Sequence, residues 1–197
     1  MLKEAPAVDV LVANAGLPAS GTIDDYSVEE IDRALDVNLR APIILARSML
    51  RGMVSRGGGH LVFVSSLSGK FTAPGSALYS ATKFGLRGMA GSLRQDLDGT
   101  GVGVSTIFPG PIRESGMWAD TRMRTPTGVG TRSPRDVARA VVRAIEKDAA
   151  EIAVATPSAR LGSVIAQIAP SVTAGFNRRI GLKGRVAQVA EAQRKRR

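Results

Sequence analysis

The 197-residue chain contains no cysteine and a single histidine, and these absences exclude several classes of site. Without cysteine the chain can form no disulfide and can bind no metal through thiolates. With His60 as the only histidine, a metal site built on several imidazoles is excluded as well. The first residues contain no apolar signal-peptide core, so we expect no secretory signal and a reducing, cytoplasmic location.

The positive charge is concentrated at one end of the chain. Of the net charge of +10, residues 157–197 contribute +8, from nine lysines and arginines against the single acid Glu191, which leaves +2 for residues 1–156. Since the body is nearly neutral, we do not expect nucleic acid as a partner. We divide the chain into a catalytic domain, 1–156, and a basic extension, 157–197, that is helical or partly disordered and most simply a solvated end.

Four short apolar runs alternate with three helical stretches, which predicts an open α/β fold with a parallel sheet. The strands are expected at residues 8–13, 61–64, 102–108 and 152–155. The helices are expected at residues 27–55, 76–97 and 133–148. Residues 111–132 contain proline and glycine without a clear period, which predicts a long loop.

The first three predicted strands end in distinctive loops. These loops are Asn14-Ala15-Gly16, Ser65-Ser66 and Pro109-Gly110. The carboxyl ends of parallel strands meet at one edge of the sheet, where ligands bind. The three loops therefore predict a common site.

Tyr79 and Lys83 lie four residues apart on a predicted helix, so that their side chains share one face. A lysine beside a phenol favours the phenolate and lowers the tyrosine pKa from its usual value of about 10. At an effective dielectric of about 20 and roughly 4 Å, the interaction is ~4 kcal/mol, or about three pKa units. We therefore expect Tyr79 to titrate near neutrality and to act as a general acid or base.

Five motifs together resemble the short-chain dehydrogenase/reductase family. They are, in chain order, Asn14-Ala15-Gly16, Asn38, Ser66, Tyr79-Ser80-Ala81-Thr82-Lys83 and Pro109-Gly110. The resemblance extends over residues 8–155, roughly three quarters of the chain. It implies a Rossmann-like, doubly wound parallel sheet and an oxidoreductase that interconverts a secondary alcohol and a ketone. The cofactor would be NAD or NADP, and the residues present do not distinguish them.

The resemblance also assigns catalytic roles. Tyr79 would exchange a proton with the substrate oxygen, and Ser66 would hold that oxygen beside the tyrosine. Lys83 would lower the pKa of Tyr79 and hydrogen-bond the nicotinamide ribose. Asn38 would position a water molecule that links Lys83 to solvent. Two hydroxyls aimed at one point suit the negative charge that develops on the substrate oxygen.

Two loops would contact the cofactor. Asn14-Ala15-Gly16 would pass close to its adenosine side, and Pro109-Gly110, with the backbone of Ile112, would cover the nicotinamide. The family often has a threonine where this chain has Glu114. Either Ser115 takes over that contact, or the contact is missing.

The remaining features fit this assignment. Residues 111–132 correspond to the family's substrate lid, in which Met117 and Trp118 either line the pocket or pack against the protein. His60 follows three glycines, so we expect it to be exposed and to have no catalytic part. The partners implied are a small carbonyl or alcohol substrate and further copies of the chain, in a dimer or tetramer.

The family's Gly-rich dinucleotide-binding loop is not found in the sequence. The nearest imitations are Gly99-Thr100-Gly101-Val102-Gly103 and Gly128-Val129-Gly130, and neither completes the pattern after a strand. We therefore expect an N-terminally truncated fold that lacks the first βαβαβ unit, on the order of 60 residues. Much of the pyrophosphate binding would be lost, and an apolar sheet edge would be exposed.

Two other interpretations remain open. The chain could be a catalytically inactive remnant that acts through protein partners at its exposed sheet edge. It could also contact a membrane surface, because residues 161–177 are uncharged and basic residues follow. Gln167 and Pro170 argue against a membrane span, and an ordinary packed helix or an oligomer contact is the simpler interpretation of this stretch.

Overall fold

The computed structural model describes residues 7–121, 130–179 and 182–193. Residues 122–129 of the expected lid, and the chain ends at 1–6 and 194–197, lie outside the described residues. Four strands form one sheet in the order β1-β2-β3-β4, with every neighbouring pair parallel. The strands are β1 (Val10–Ala13), β2 (Gly59–Val64), β3 (Val102–Pro109) and β4 (Glu151–Val154). The predicted parallel α/β sheet is confirmed.

The helix expected over residues 27–55 is divided in the structure. It consists of α1 (Val28–Leu35), a wider π-helical segment (Asp36–Arg40) and α2 (Ala41–Ser55). The π-helical segment contains the fully buried Asn38. Such segments often occur at functional sites, because the extra residue in the turn redirects a side chain.

Five further helices follow. They are α3 (Ala77–Asp96), α4 (Pro134–Glu146), α5 (Pro157–Ile168), α6 (Pro170–Arg179) and α7 (Leu182–Gln193). The last three belong to the basic C-terminal extension, which is therefore helical over these ranges. Throughout the described residues, no helix combines the length and the apolar character that a bilayer crossing requires.

The helices cover both faces of the sheet. On one face α2 and α3 pack on alternate strand residues, including Leu61 and Phe63 of β2, which are fully buried. On the other face α4 packs on the intervening residues, including Val62 and Ile107. This alternation is the pleat of the strands. Because every neighbouring pair is parallel, the carboxyl ends of all four strands lie at one edge.

One part of the second face has no helix over it among the described residues. Leu11 and Ala13 of β1 pack into the core beneath α2. Val10 and Val12 alternate with them and face the other side, where they are 41% and 42% exposed. Within the described part of the chain the sheet is therefore open at β1, along both its apolar face and its hydrogen-bonding edge.

The expectation that His60 is exposed is wrong. It is only 6% exposed, within β2, and its Nε2 lies 2.8 Å from Oγ of Ser105 on β3. Since the Ser105 hydroxyl donates to the carbonyl of Ala149, it accepts from His60. Burial lowers the pKa of His60, so the ring is a neutral structural group at the end of β2 remote from Ser66.

Gly101, directly before β3, closely approaches the backbone of Gly57, which lies shortly before β2. Gly99 and Gly101 both have positive φ, of 75° and 78°. A Cβ at Gly99 would meet open space, whereas one at Gly101 would collide with the carbonyl of Gly57. Both alanine variants carry the left-handed strain of roughly 1–2 kcal/mol, but Gly101→Ala must also displace backbone, at roughly 2 kcal/mol more. Urea denaturation of the two variants should show this difference, and equal midpoints would contradict it.

Candidate active site

A cavity of about 1540 Å³ lies at the carboxyl ends of the strands. Ligand pockets usually measure ~300–1,000 Å³, so this one has room for more than one small molecule. Most of the residues predicted for the site line it together. They are Asn14, Ser66, Tyr79, Lys83, Pro109, Gly110 and Ile112.

The end of β2 is joined tightly to α3, and this contact positions Ser66. Ser65 directly precedes Ser66, and its hydroxyl donates to the Lys83 carbonyl at 3.0 Å. A Cβ at Gly69 would lie 2.6 Å from Ser65 Oγ and 2.7 Å from the Lys83 carbonyl oxygen, so only glycine fits there. Ser66 caps the short turn that contains Gly69, with its Oγ accepting from the Ser68 N–H at 3.1 Å.

Lys83 is buried beside this turn. Its side chain is 3% exposed, and Nζ donates to the carbonyl of Val64, the last residue of β2, at 3.2 Å. Nζ lies 5.6 Å from the centroid of the Tyr79 ring, as the spacing of four residues requires. Burial lowers the pKa of Lys83 to about 8, because the charged ammonium loses its hydration.

The expectation that Tyr79 has a near-neutral pKa is wrong for this structure. Burial raises the pKa of the Tyr79 hydroxyl to about 12, and a hydrogen bond from Ser66 offsets this only in part. The four-residue spacing predicted that Lys83 would lower this pKa. The ammonium instead lies against the tyrosine ring and is held by a backbone carbonyl. In this structure Tyr79 is therefore protonated at neutral pH and able to donate.

Asn38 lies behind the cavity wall rather than in it. Its Oδ1 accepts from the Leu17 N–H at 2.6 Å, and its Nδ2 donates to the Leu17 carbonyl at 3.0 Å. A Cβ at Gly16 would lie 3.2 Å from Asn38 Oδ1 and 3.7 Å from Lys83 Nζ. The predicted residues Gly16, Asn38 and Lys83 thus come together, with Asn38 fixing the loop that follows β1. Ala15 is exposed and does not line the cavity.

The loop after β3 is fixed at its base. The Gly110 N–H donates to the Val154 carbonyl at 3.0 Å, and Ile112 pairs with Arg132 where the loop returns. Ser115 lines the cavity. Glu114 has a positive φ of 76°, is exposed and pairs with the adjacent Arg113, so it points toward solvent.

Met117 and Trp118 line the cavity, which decides between the two alternatives for them. The structure adds Gln193, which sequence reasoning missed. Its Nε2 donates to the Met117 carbonyl at 3.2 Å, and its side chain is among the cavity-lining groups. No local pattern marks a glutamine so distant in sequence, because only the fold brings α7 to this loop.

A second missed group connects the elements around the site. Glu151 at the start of β4 accepts from Lys70 at 2.6 Å and from Arg87 at 2.7 Å. Lys70 lies four residues after Ser66, and Arg87 lies four residues after Lys83. The carboxylate therefore ties the serine turn to α3, and these two bonds help to keep the Glu151 pKa below its usual value.

Comparison with known proteins agrees with this geometry. The family model for short chain dehydrogenases matches residues 1–125. The chain belongs to the short-chain dehydrogenase/reductase family of oxidoreductases. The ketoacyl reductase HetN of Nostoc sp. (strain PCC 7120) is 41% identical over 147 residues, which are 75% of this chain and 51% of HetN. The chain thus spans about half the length of this relative.

Solved structures of the family have the same fold. A short-chain dehydrogenase from Streptomyces avermitilis matches with a TM-score of 0.70 and 26% identity, over 89% of this chain and 69% of that one. Serine dehydrogenase complexed with NADP+ matches with a TM-score of 0.67 and 28% identity, over 79% and 69%. These neighbours show that the four-stranded sheet is that of a Rossmann-type dehydrogenase.

Asn38 makes two hydrogen bonds to the backbone of Leu17, so its substitution should strongly lower the free energy of unfolding. Asn38→Ala leaves the Leu17 N–H and carbonyl without these partners, at roughly 1–3 kcal/mol for each group left buried and unsatisfied. Asn14→Ala is the matched control, because Asn14 is exposed and its loss should change the free energy of unfolding by less than about 0.5 kcal/mol. Chemical denaturation measures both variants, and a similar loss in the two would refute the assigned role.

The buried Lys83 predicts a pH dependence of stability. Its folded-state pKa of about 8 lies below the ordinary lysine value of 10.5, so the unfolded chain binds more protons between these values. Stability relative to Lys83→Met should therefore rise as pH increases from 7 to 10. Above pH 10 the raised pKa of Tyr79 acts in the opposite direction, so the comparison ends there. Parallel stability curves for the two proteins would contradict a buried ammonium.

Proposed function

We propose that the chain is the catalytic part of an NAD(P)-dependent oxidoreductase that interconverts a secondary alcohol and a ketone. The arrangement of Ser66, Tyr79 and Lys83 around one cavity carries the proposal. Two hydroxyls and a buried cation at the carboxyl edge of a parallel sheet match the chemistry of carbonyl reduction. The name of HetN, a ketoacyl reductase, is consistent with a ketone substrate.

The reacting oxygen would lie between the Ser66 and Tyr79 hydroxyls. In the reduction direction Tyr79 donates its proton to that oxygen as negative charge develops there, and in oxidation it accepts the proton back. Ser66 orients the oxygen and stabilises its charge by a second hydrogen bond. The Lys83 ammonium, whose Nζ lies 5.6 Å from the centroid of the Tyr79 ring, leaves the pKa of Tyr79 high in this structure, but it places a positive charge near the phenolate that proton donation would leave behind.

The residues present fit the nicotinamide half of the cofactor. Lys83 and the backbones of Pro109, Gly110 and Ile112 line the same cavity as Tyr79 and would hold the nicotinamide and its ribose. When bound, the nicotinamide supplies or accepts the hydride, which no side chain can do. Fold neighbours have been solved with NADP+ and with NADH, so both cofactors remain in the proposal.

The pyrophosphate half needs further strands, and we place them beside β1. The sequence contains no Gly-rich turn after a strand, and the chain spans 51% of HetN. The exposed Val10 and Val12 provide an apolar face, and β1 a free edge, where the family's first βαβαβ unit would pair. We accordingly propose that this chain is an N-terminally truncated form of the fold.

The same open edge favours one alternative, a catalytically inactive chain that acts through protein partners at β1. Exposed valines on an unpaired edge strand suit association, including a homodimer or homotetramer. For either function we propose a cytoplasmic protein.

Titration with NADH and with NADPH, followed by nicotinamide fluorescence, distinguishes the oxidoreductase from the inactive alternative. Micromolar binding supports the oxidoreductase, and no binding to either cofactor supports the alternative for this chain.

Substitution of the proton donor tests the mechanism. Tyr79→Phe removes the hydroxyl that exchanges the proton, so kcat/KM should fall by about 10²–10⁴ while the fold remains intact. Tyr26→Phe, the same change at the other tyrosine, is the control, because Tyr26 does not line the cavity. Steady-state kinetics with circular dichroism on both variants checks this, and retained turnover in Tyr79→Phe would end the proposed mechanism.

A further inference from the structure

We propose that the substrate carries an extended apolar group, which packs against a wall formed by α5, α6, α7 and the loop after β3. The inference rests on the proposed function, since it concerns the alcohol or ketone that Tyr79 would act on. It goes further by assigning the chemical class of the substrate. Four observations about the cavity carry it.

The composition of the wall is the first observation. Large apolar side chains from separate elements face the cavity on the side of the C-terminal helices. They are Phe71, Met117, Trp118, Ile165, Val172 and Val189. Small residues of α5, including Ala159, Gly162 and Ala166, leave room between them. Polar side chains of the same helices, including Ser163, Thr173 and Asn177, also line the cavity, but most of the lining is apolar, so it can hold an aliphatic chain by burial.

The distribution of charge is the second observation. Among the described residues that line the cavity, Lys83 is the one with a charged side chain. Its Nζ is already held by the Val64 carbonyl and lies against Tyr79. A small hydroxy acid would need a cation facing its carboxylate at the other end of the molecule. The described part of the wall provides no such cation.

The anchoring of the wall is the third observation. Gln193 at the end of α7 is 6% exposed, and its amide donates to the carbonyl of Met117. This bond joins the last helix to the loop that carries Met117 and Trp118. These two parts of the wall are therefore already joined, and binding does not have to bring them together first.

The size of the cavity is the fourth observation. Its volume of about 1540 Å³ exceeds the range of ~300–1,000 Å³ that is usual for one ligand. The cavity therefore has room for a nicotinamide and for a substrate with an aliphatic group that reaches the apolar wall.

Trp118 allows a direct test, because it is the only tryptophan of the chain and lines the cavity. Its fluorescence can be titrated with 2-pentanone, 2-heptanone and 2-nonanone, and with acetoacetate and levulinate as short charged ketones. Affinity should rise about fourfold for each methylene group that becomes buried, and the keto acids should bind more weakly than 2-heptanone. Affinity independent of chain length, or tighter binding of the keto acids, would overturn the proposal.

A pair of neighbouring variants locates the effect. Ile165 lines the cavity and Val164 does not, yet they are similarly exposed, at 47% and 49%, on the same helix. Ile165→Ser should weaken 2-nonanone binding several-fold, and Val164→Ser should leave it unchanged. Because both side chains are half exposed, neither variant should disturb folding, which circular dichroism verifies. Equal effects of the two would place the ketone elsewhere and contradict the proposal.

The titration of Trp118 fluorescence with ketones needs neither cofactor nor turnover. Its outcome can therefore contradict the substrate class without contradicting the proposed oxidoreductase activity, and the reverse. If alkanones bind with the expected dependence on chain length but NADH and NADPH do not bind, the substrate class stands and the activity of this chain fails. If the chain reduces short keto acids but shows no gain with chain length, the oxidoreductase stands and the substrate class is wrong.

Discussion

The site depends on the contact between the carboxyl end of β2 and the backbone of α3. Ser65 donates to the Lys83 carbonyl, the Lys83 ammonium donates to the Val64 carbonyl, and Gly69 provides the space for this approach. These bonds fix a strand end and a helix relative to each other, so that Ser66 and Tyr79 face one cavity. The cost is a desolvated ammonium, whose pKa falls to about 8.

Other parts of the chain support this contact from different sides. Glu151 ties the serine turn and α3 to β4, and Asn38 fixes the loop after β1 through the Leu17 backbone. Gln193 holds the loop after β3 from the C-terminal helix. The predicted catalytic groups therefore lie on strand ends and a helix, whereas the proposed substrate wall is built largely from a loop and α5 to α7. This separation suits a family in which one chemistry serves many substrates.

β1 is an edge strand of the described sheet and is covered on one face. Its valines face away from the core, and no described helix covers them. In a doubly wound sheet the crevice at the carboxyl ends of the central strands binds the cofactor, and the described cavity lies at these strand ends. The residues predicted for proton transfer and those proposed to hold the nicotinamide line this one cavity.

The sequence by itself determined the parallel sheet, because the sheet follows from a local pattern of short apolar runs that alternate with capped helices. It also predicted that Ser66, Tyr79 and Lys83 meet at the carboxyl edge of this sheet, and all three line one cavity there. It could not determine what depends on contacts between distant segments. Tertiary structure alone decided four features of the site and its surroundings. They are the burial of His60, the high pKa of Tyr79, the hydrogen bonding of Asn38 to Leu17 and the position of Gln193. Desolvation and hydrogen-bond partners arise when elements pack, and residue spacing along the chain does not encode them.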